Sequence, residues 1–309
     1  MRIQSIWDER WLAERKDASS DQIDRRSNLS YDEFVDEYVK PKRPVIITDA
    51  TKGWNALERW NLEFFKERFG DVLLPKNGQH VRDMIDEMLG STSARPSSYA
   101  FSMSIPKLFP ELLRDIEPLP SYWNPNWLDD PSLMPRVPDH KLHQITGLEV
   151  NIGGAHAVFP FIHYDDLWTQ TFVTQVYGRK EWVLYPPDHT RYLYPQERGG
   201  NFSKMPFKDG VDLDEFPMFE KVKPLRFCIE PGEMFYNTPG WWHTTRALTH
   251  SIAVVLSTAN APIWSKMTWE VFKAGLRHHK WYKAPLAATY YASCMTSFRI
   301  SRALKGESA

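Results

Sequence analysis

A chain of 309 residues with 42% hydrophobic and 14% aromatic content can bury a large core, as one big domain or two smaller ones. Its 39 acids and 38 bases nearly cancel, which excludes the global basic field that draws proteins to nucleic acid or to anionic membranes, so neither is an expected partner. Only Cys228 and Cys294 occur, no stretch approaches ~18 consecutive apolar residues, and the charged start MRIQSIWDERWLAERKD holds no apolar leader core; a disulfide framework and a membrane span are excluded and a soluble, cytoplasmic protein is expected.

In chain order, NLSYDEFVDEYVK (28–40) places Leu29, Phe34, Val35 and Tyr38 at helical spacing, with Ser30 as N-cap, Glu33 three residues on and Pro41 as the stop. PVIITDA (44–50) predicts a short strand, and WNLEFFKERFG (60–70) an amphipathic helix closed by glycine. The N-terminal elements, 1–117, are therefore mixed α/β. Residues 118–138 hold six prolines and two tryptophans, too many breakers for regular structure and too many aromatics for a solvated linker; they predict an ordered covering loop. From 142 to 260 short β-type runs follow one another, HQITGLEVNI, TQTFVTQVYG, EWVLYPP, LRFCIE, MFYN and SIAVVLSTA, separated by turn signals. Many short strands without helical periods between them predict a mainly β, antiparallel sandwich or barrel. Residues 262–309 return to helical periods, broken at Pro285, as a C-terminal helical extension of a 1–261 domain. His278 and His279 in that tail are adjacent and share no face, so they read as a solvated helix surface.

The stretch FPFIHYDDLW sets His163 two positions before Asp165. Ten histidines among 39 acids predict about 1.3 His-x-acid pairs by chance, and the chain has one, so the pair alone says nothing. If the segment is extended, however, both side chains share a face with Phe161. A non-haem Fe(II) site needs two histidines and one carboxylate on one face of the metal, with the opposite positions open. The third ligand is sought in EPGEMFYNTPGWWHTT, where two Pro-Gly turns frame a short strand before His243. A histidine there also fits a core; the His-x-Asp at the opening of the same β run favours the metal. Lys180, in QVYGRKEWVLYPP, lies inside an otherwise apolar strand and shares its face with Trp182 and Leu184. A lysine facing the interior needs an anion to offset its burial, whereas one facing out is merely solvated.

Together H-Y-D, Q-V-Y-G-R-K-E-W-V-L-Y-P-P-D and P-G-E…Y…W-W-H resemble the JmjC/cupin-8 group of Fe(II)- and 2-oxoglutarate-dependent oxygenases, and most nearly its asparaginyl hydroxylases. The likeness runs from about residue 142 to 260, with VDLDEFPMF (211–219) resembling an insert of those hydroxylases. The resemblance implies a double-stranded β-helix (jelly roll), His163, Asp165 and His243 as metal and catalytic residues, and Lys180 on the far carboxylate of 2-oxoglutarate, with Tyr99 at the same end. It implies Fe(II), 2-oxoglutarate and dioxygen as cofactors, and oxidative decarboxylation to succinate coupled to C–H oxidation. The chain departs from the group at Pro160, where relatives carry a cosubstrate-binding threonine, and at Thr171 and Ser257, where the hydroxylases carry asparagines, and its DLWTQ loop is two residues longer. Thr171 and Ser257 remain the cosubstrate-contact candidates at those positions.

Tyr164, Asp166 and Thr244 are the neighbours expected to orient the ligands. The Pro/Trp-rich loop and the 196–224 insert are expected to wall a groove for a protein or peptide substrate; a small-molecule metabolite is the alternative, and a non-catalytic cupin-like binding protein a third. Lysine demethylation ranks lower, since no acidic, aromatic or zinc-binding reader element accompanies the core. The aromatic tail is expected either to form a homodimer or to cap the barrel.

Overall fold

In the computed structural model residues 2–15, 22–124, 126–128, 147–196, 200–277 and 284–304 are described. The strands are β1 (Ile3–Gln4), β2 (Asp24–Arg26), β3 (Val45–Ile47), β4 (Tyr99–Ser104), β5 (Leu148–Gly153), β6 (Gln170–Tyr177), β7 (Lys180–Tyr185), β8 (Val211–Asp212), β9 (Leu225–Ile229), β10 (Met234–Asn237), β11 (Trp242–Ala247) and β12 (Ser251–Thr258). A seven-stranded sheet runs β2-β3-β10-β6-β12-β5-β4, and a three-stranded sheet runs β11-β7-β9. The fold is a mainly β jelly roll. Its larger sheet takes three strands from the N-terminal third, β2 beside β3, β3 beside β10 and β4 beside β5.

Alternation along the strands decides what lies where. Phe172, Val176, Val254, Leu256, Val150, Ile152, Met234 and Tyr236 leave one face of the large sheet and pack on Phe34, Trp60, Phe65, Met84 and Phe109 of the N-terminal layer. The opposite face meets the small sheet through Val173, Phe235, Trp182, Leu184, Phe227 and Ile229. The outer face of the small sheet, carrying Val183, Tyr185 and Trp242, is covered by Met205, Phe207, Leu213, Phe216 and Phe219 and by Trp7 from the N-terminus.

The helix expected over 28–40 begins at Tyr31 under a capping box in which Ser30 Oγ accepts from the Glu33 amide and Glu33 accepts from the Ser30 amide. It continues through Val39 in a wider turn. The helix expected over 60–70 runs Leu62–Phe69, with the Asn61 side chain accepting from the Phe64 amide. In the covering loop Trp123 and Trp127 are buried, and the Trp127 ring packs on Trp264 at 5.5 Å; residues 125 and 129–138 lie outside the described residues, as do the start of the 143–152 run, through 146, and His278 and His279. The tail forms helices Ala261–Arg277 and Ala284–Leu304, the first seated on the core by Trp264 and Met267. Pro285 falls in the first turn of the second helix, where its missing N–H has no intrahelical partner to lose. No helix among the described residues is long and apolar enough to cross a membrane.

The 196–224 insert differs from expectation. Its apolar residues cover the outer face of the small sheet, and only Phe202 reaches the site, so the described part of the insert does not wall a groove. Its alternation of large apolar residues satisfies a core, not a channel.

Candidate active site

A cavity of about 200 Å³ opens between the two sheets, and all seven residues singled out above line it: Tyr99, His163, Asp165, Thr171, Lys180, His243 and Ser257. His163 and His243 are pinned to each other by reciprocal backbone hydrogen bonds, His163 N to His243 O at 3.0 Å and His243 N to His163 O at 2.6 Å. Their imidazoles converge on one carboxylate oxygen, Asp165 Oδ1, at 3.9 Å from His163 Nε2 and 3.7 Å from His243 Nε2. One donor atom from each of the three lies within 4.8 Å of the others, the spacing of ligands around a single ion. Asp165 is extended at φ −61°, ψ 140°, so the backbone reaches the shared face without strain.

Burial and the nearby His243 hold the His163 imidazole well below its ordinary pKa, which keeps its lone pair free. Phe159 stacks on one side of that ring, with centroids 4.9 Å apart, and Phe202 on the other, at 5.7 Å. His243 Nδ1 lies 3.0 Å from the Trp241 carbonyl; donation to that acceptor fixes the tautomer and turns the Nε2 lone pair to the site.

Asn237 was not anticipated. It ends β10 on the cavity face, and its Nδ2 donates to Asp165 Oδ2 at 2.7 Å, leaving Oδ1 for a ligand's role. The neighbours expected to do this point elsewhere: Thr244 Oγ1 donates to the Phe159 carbonyl, Asp166 accepts from the Leu167 amide, and the Tyr164 ring packs on Trp168 and Trp242. Chain neighbours in extended backbone face away from each other, which is why adjacency misled. Removing Asn237's amide in Asn237→Ala should weaken Mn(II) binding by about 10–100-fold, the usual cost of losing a group that orients a ligand. Titration followed by Mn(II) paramagnetic resonance checks this, and an unchanged affinity would show that Asp165 needs no such support.

Lys180 is 1% exposed and faces the cavity with Trp182, as the strand parity requires, while Glu181 on the opposite face pairs with Arg246. Its Nζ lies 5.4 Å from the Tyr99 ring centroid and makes no ion pair among the described residues. Burial alone pushes this ammonium down to about 7. Tyr99, whose hydroxyl is raised by burial, bonds to Thr245, and its ring lies against Gly153, where a Cβ would come within 2.9 Å. Thr171 and Ser257 face each other across β6 and β12, Oγ to Oγ 3.3 Å.

The DLWTQ segment does not widen the cavity. Leu167 and Trp168 take left-handed backbone, the Trp168 ring lies where a Cβ on Gly240 would sit, and Lys266 covers its other face at 4.8 Å. The extra residues fold back as a tight turn against the tail helix.

Residues 67–257 match the family described as Cupin-like domain. The chain is 29% identical over 250 residues to lysine-specific demethylase JMJ21 of Arabidopsis thaliana, covering 77% of this chain and 25% of that protein. It is 27% identical over 240 residues to lysine-specific demethylase JMJ30 of the same plant, covering 75% and 53%. To the 2-oxoglutarate and iron-dependent oxygenase JMJD4 of Gallus gallus it is 24% identical over 262 residues, covering 76% and 59%. The chain thus spans from a quarter to about three fifths of the length of these relatives.

Proposed function

Because the chain belongs to the cupin-like domain family, we propose that it is an Fe(II)- and 2-oxoglutarate-dependent oxygenase that hydroxylates a C–H bond of a protein or peptide side chain. The observation that carries this reading is one cavity holding three convergent donor atoms and a buried lysine that meets no anion among the described residues. The donor set fits the ion: two imidazoles and one carboxylate on one side suit ferrous iron with open positions opposite. The lysine fits the cosubstrate, since a buried ammonium is stable only against a negative partner. Relatives named as iron- and 2-oxoglutarate-dependent oxygenases and as demethylases acting on lysine support the chemistry and a protein substrate.

When bound, the ferrous ion and its cosubstrate supply the activation of dioxygen and the oxidising power. The chain's own part is binding and exclusion. His163, Asp165 and His243 hold the ion, and Asn237 keeps the second oxygen of Asp165 occupied. Lys180 would receive the far carboxylate of the cosubstrate beside Tyr99, and Thr171 and Ser257 would offer it hydroxyls. Phe159, Phe202 and Trp182 keep water from the ligands. In this reading 1–261 is the catalytic unit and 262–309 an extension that also pairs two copies, supported by exposed Trp269, Leu286, Ile300 and Leu304 on its helices. A cytoplasmic setting is part of the reading, supported by a chain that holds only two cysteines.

Iron-loaded protein should convert 2-oxoglutarate slowly to succinate with no added substrate, and a peptide library should accelerate this more than metabolite pools. Succinate measured by mass spectrometry checks it. No succinate under any condition sinks the oxygenase reading; acceleration by metabolites alone moves the substrate to small molecules.

A further inference from the structure

The backbone that follows Asp165 is costly. Leu167 and Trp168 stand side by side in the left-handed region, at φ 52° and 63°, a region that residues other than glycine seldom occupy. The Trp168 indole N–H is also buried and finds no acceptor among the described residues, which adds a further cost. Such costs persist only where the surroundings over-determine the conformation, and they gather at functional sites. The local support is modest: Asp166 Oδ1 accepts from the Leu167 amide at 2.9 Å, and the Asp166 carbonyl accepts from the Thr169 amide and hydroxyl at 3.2 and 3.0 Å. The Trp168 ring supplies the remainder.

That ring touches the neighbourhood of every ligand. It lies on Gly240, three residues before His243 and three after Asn237, so closely that a Cβ there would overlap its six-membered edge; Gly240 is itself left-handed at φ 84°. It meets the Tyr164 ring edge-on at 5.7 Å, and Tyr164, which stands between His163 and Asp165 in the chain, meets Trp242 beside His243 at 5.0 Å. From the other side Lys266 of the helix Ala261–Arg277 holds its ammonium 4.8 Å from the ring centroid, an attraction of cation to aromatic face. That helix is anchored by the buried Trp264 and Met267 that flank Lys266, yet it carries none of the three ligands. We propose that Trp168 is a positioning residue of the metal centre: it locks the Asp165 carboxylate against the turn that presents His243, and through Lys266 it ties the C-terminal helix to the ion. This step rests on the ligand assignment above. Its consequence is that a helix outside the β fold bears on how tightly the metal is held.

The test uses full-length protein and Mn(II), with the bound ion read by paramagnetic resonance and folding by thermal melts. Trp168→Ala should raise the Mn(II) dissociation constant at least about tenfold, the scale set by groups that orient a ligand, and should broaden the resonance of the bound ion, because Asp165 then takes more than one orientation. Trp168→Phe keeps an aromatic plane for Tyr164 and Lys266 but falls short of Gly240, so its losses in affinity and line shape should be smaller than those of Trp168→Ala. In the wild type, where folding is not in question, Mn(II) should slow amide exchange by about threefold or more at 263–270 of the tail helix as well as at 163–169. A folded Trp168→Ala, or failing that Trp168→Phe, with a lower melting temperature but unchanged affinity and line shape would show that the ring only fills space. Exchange at 263–270 that ignores the ion in the wild type would break the link through Lys266. Either result overturns the proposal. Failure of the wild type to bind Mn(II) at all strikes the ligand assignment itself, so the two failures are told apart.

Discussion

Replacing Lys180 by methionine should raise the 2-oxoglutarate dissociation constant by roughly two to three and a half decades while stoichiometric metal binding survives. The side chain is 1% exposed and faces the cavity without an ion-pair partner among the described residues. Methionine keeps the bulk of the stem and deletes the charge. A buried, hydrogen-bonded ion pair that loses one member costs ~3–5 kcal/mol, which is that span of affinity. Lys180→Arg should recover only part, because the guanidinium is longer and prefers a two-pronged approach. Calorimetry with Mn(II) in place of iron, under argon, checks it; a change below about threefold would mean that another cation anchors the cosubstrate.

The same residue gives a pH signature in the ligand-free protein. Its folded-state pKa lies near 7, below the ordinary lysine value of 10.5. Below pH 7 both folded and unfolded chains carry the proton, and the folded one bears the whole burial penalty. Between about 7 and 10.5 the unfolded chain binds more protons, so Lys180 makes stability rise with pH there. Subtracting the denaturation profile of Lys180→Met isolates this slope, and saturating 2-oxoglutarate should flatten it by keeping the ammonium charged.

His163→Ala and His243→Ala should each abolish stoichiometric iron binding, a larger loss than that expected for Asn237→Ala. Two imidazoles and one carboxylate are the minimum facial set, and no other His, Cys, Asp or Glu among the described residues joins this cluster. Metal content after gel filtration, with thermal melts to establish folding, checks it. Retention of one iron per chain by both folded variants would sink the ligand assignment.

Much of this site is legible along the chain because strand parity is a local property. His163 with Asp165, and Lys180 with Trp182, follow from a period of two, and the cavity receives all four. What parity cannot give is register between strands distant in sequence. Asn237 reaches Asp165 only because β10 pairs with β6, Asn237 opposite Thr171, and Thr245 meets Tyr99 through a similar long-range placement. Glu149, like Lys180, is a charge inside a β-type run, but no motif surrounds it. The place of β3 beside β10 and of β4 beside β5 was also hidden, since pairing between segments distant in sequence leaves no local mark. The insert expected to wall a groove instead covers the outer face of the small sheet, a surface its own residues do not specify.

The reciprocal hydrogen bonds between His163 and His243 join residues 80 positions apart. In an unfolded chain, bringing those imidazoles together would forfeit about 4 kcal/mol of loop-closure freedom. The peptide pairing has already closed that loop, so an arriving ion finds its chelate ring made. Such an ion distinguishes sharply between the native chain and the unfolded one, and through mass action it acts as a clamp on the native state. The order of events would then be the reverse of that in small domains that exist only while a metal holds them: here the fold would build the chelator before the ion arrives.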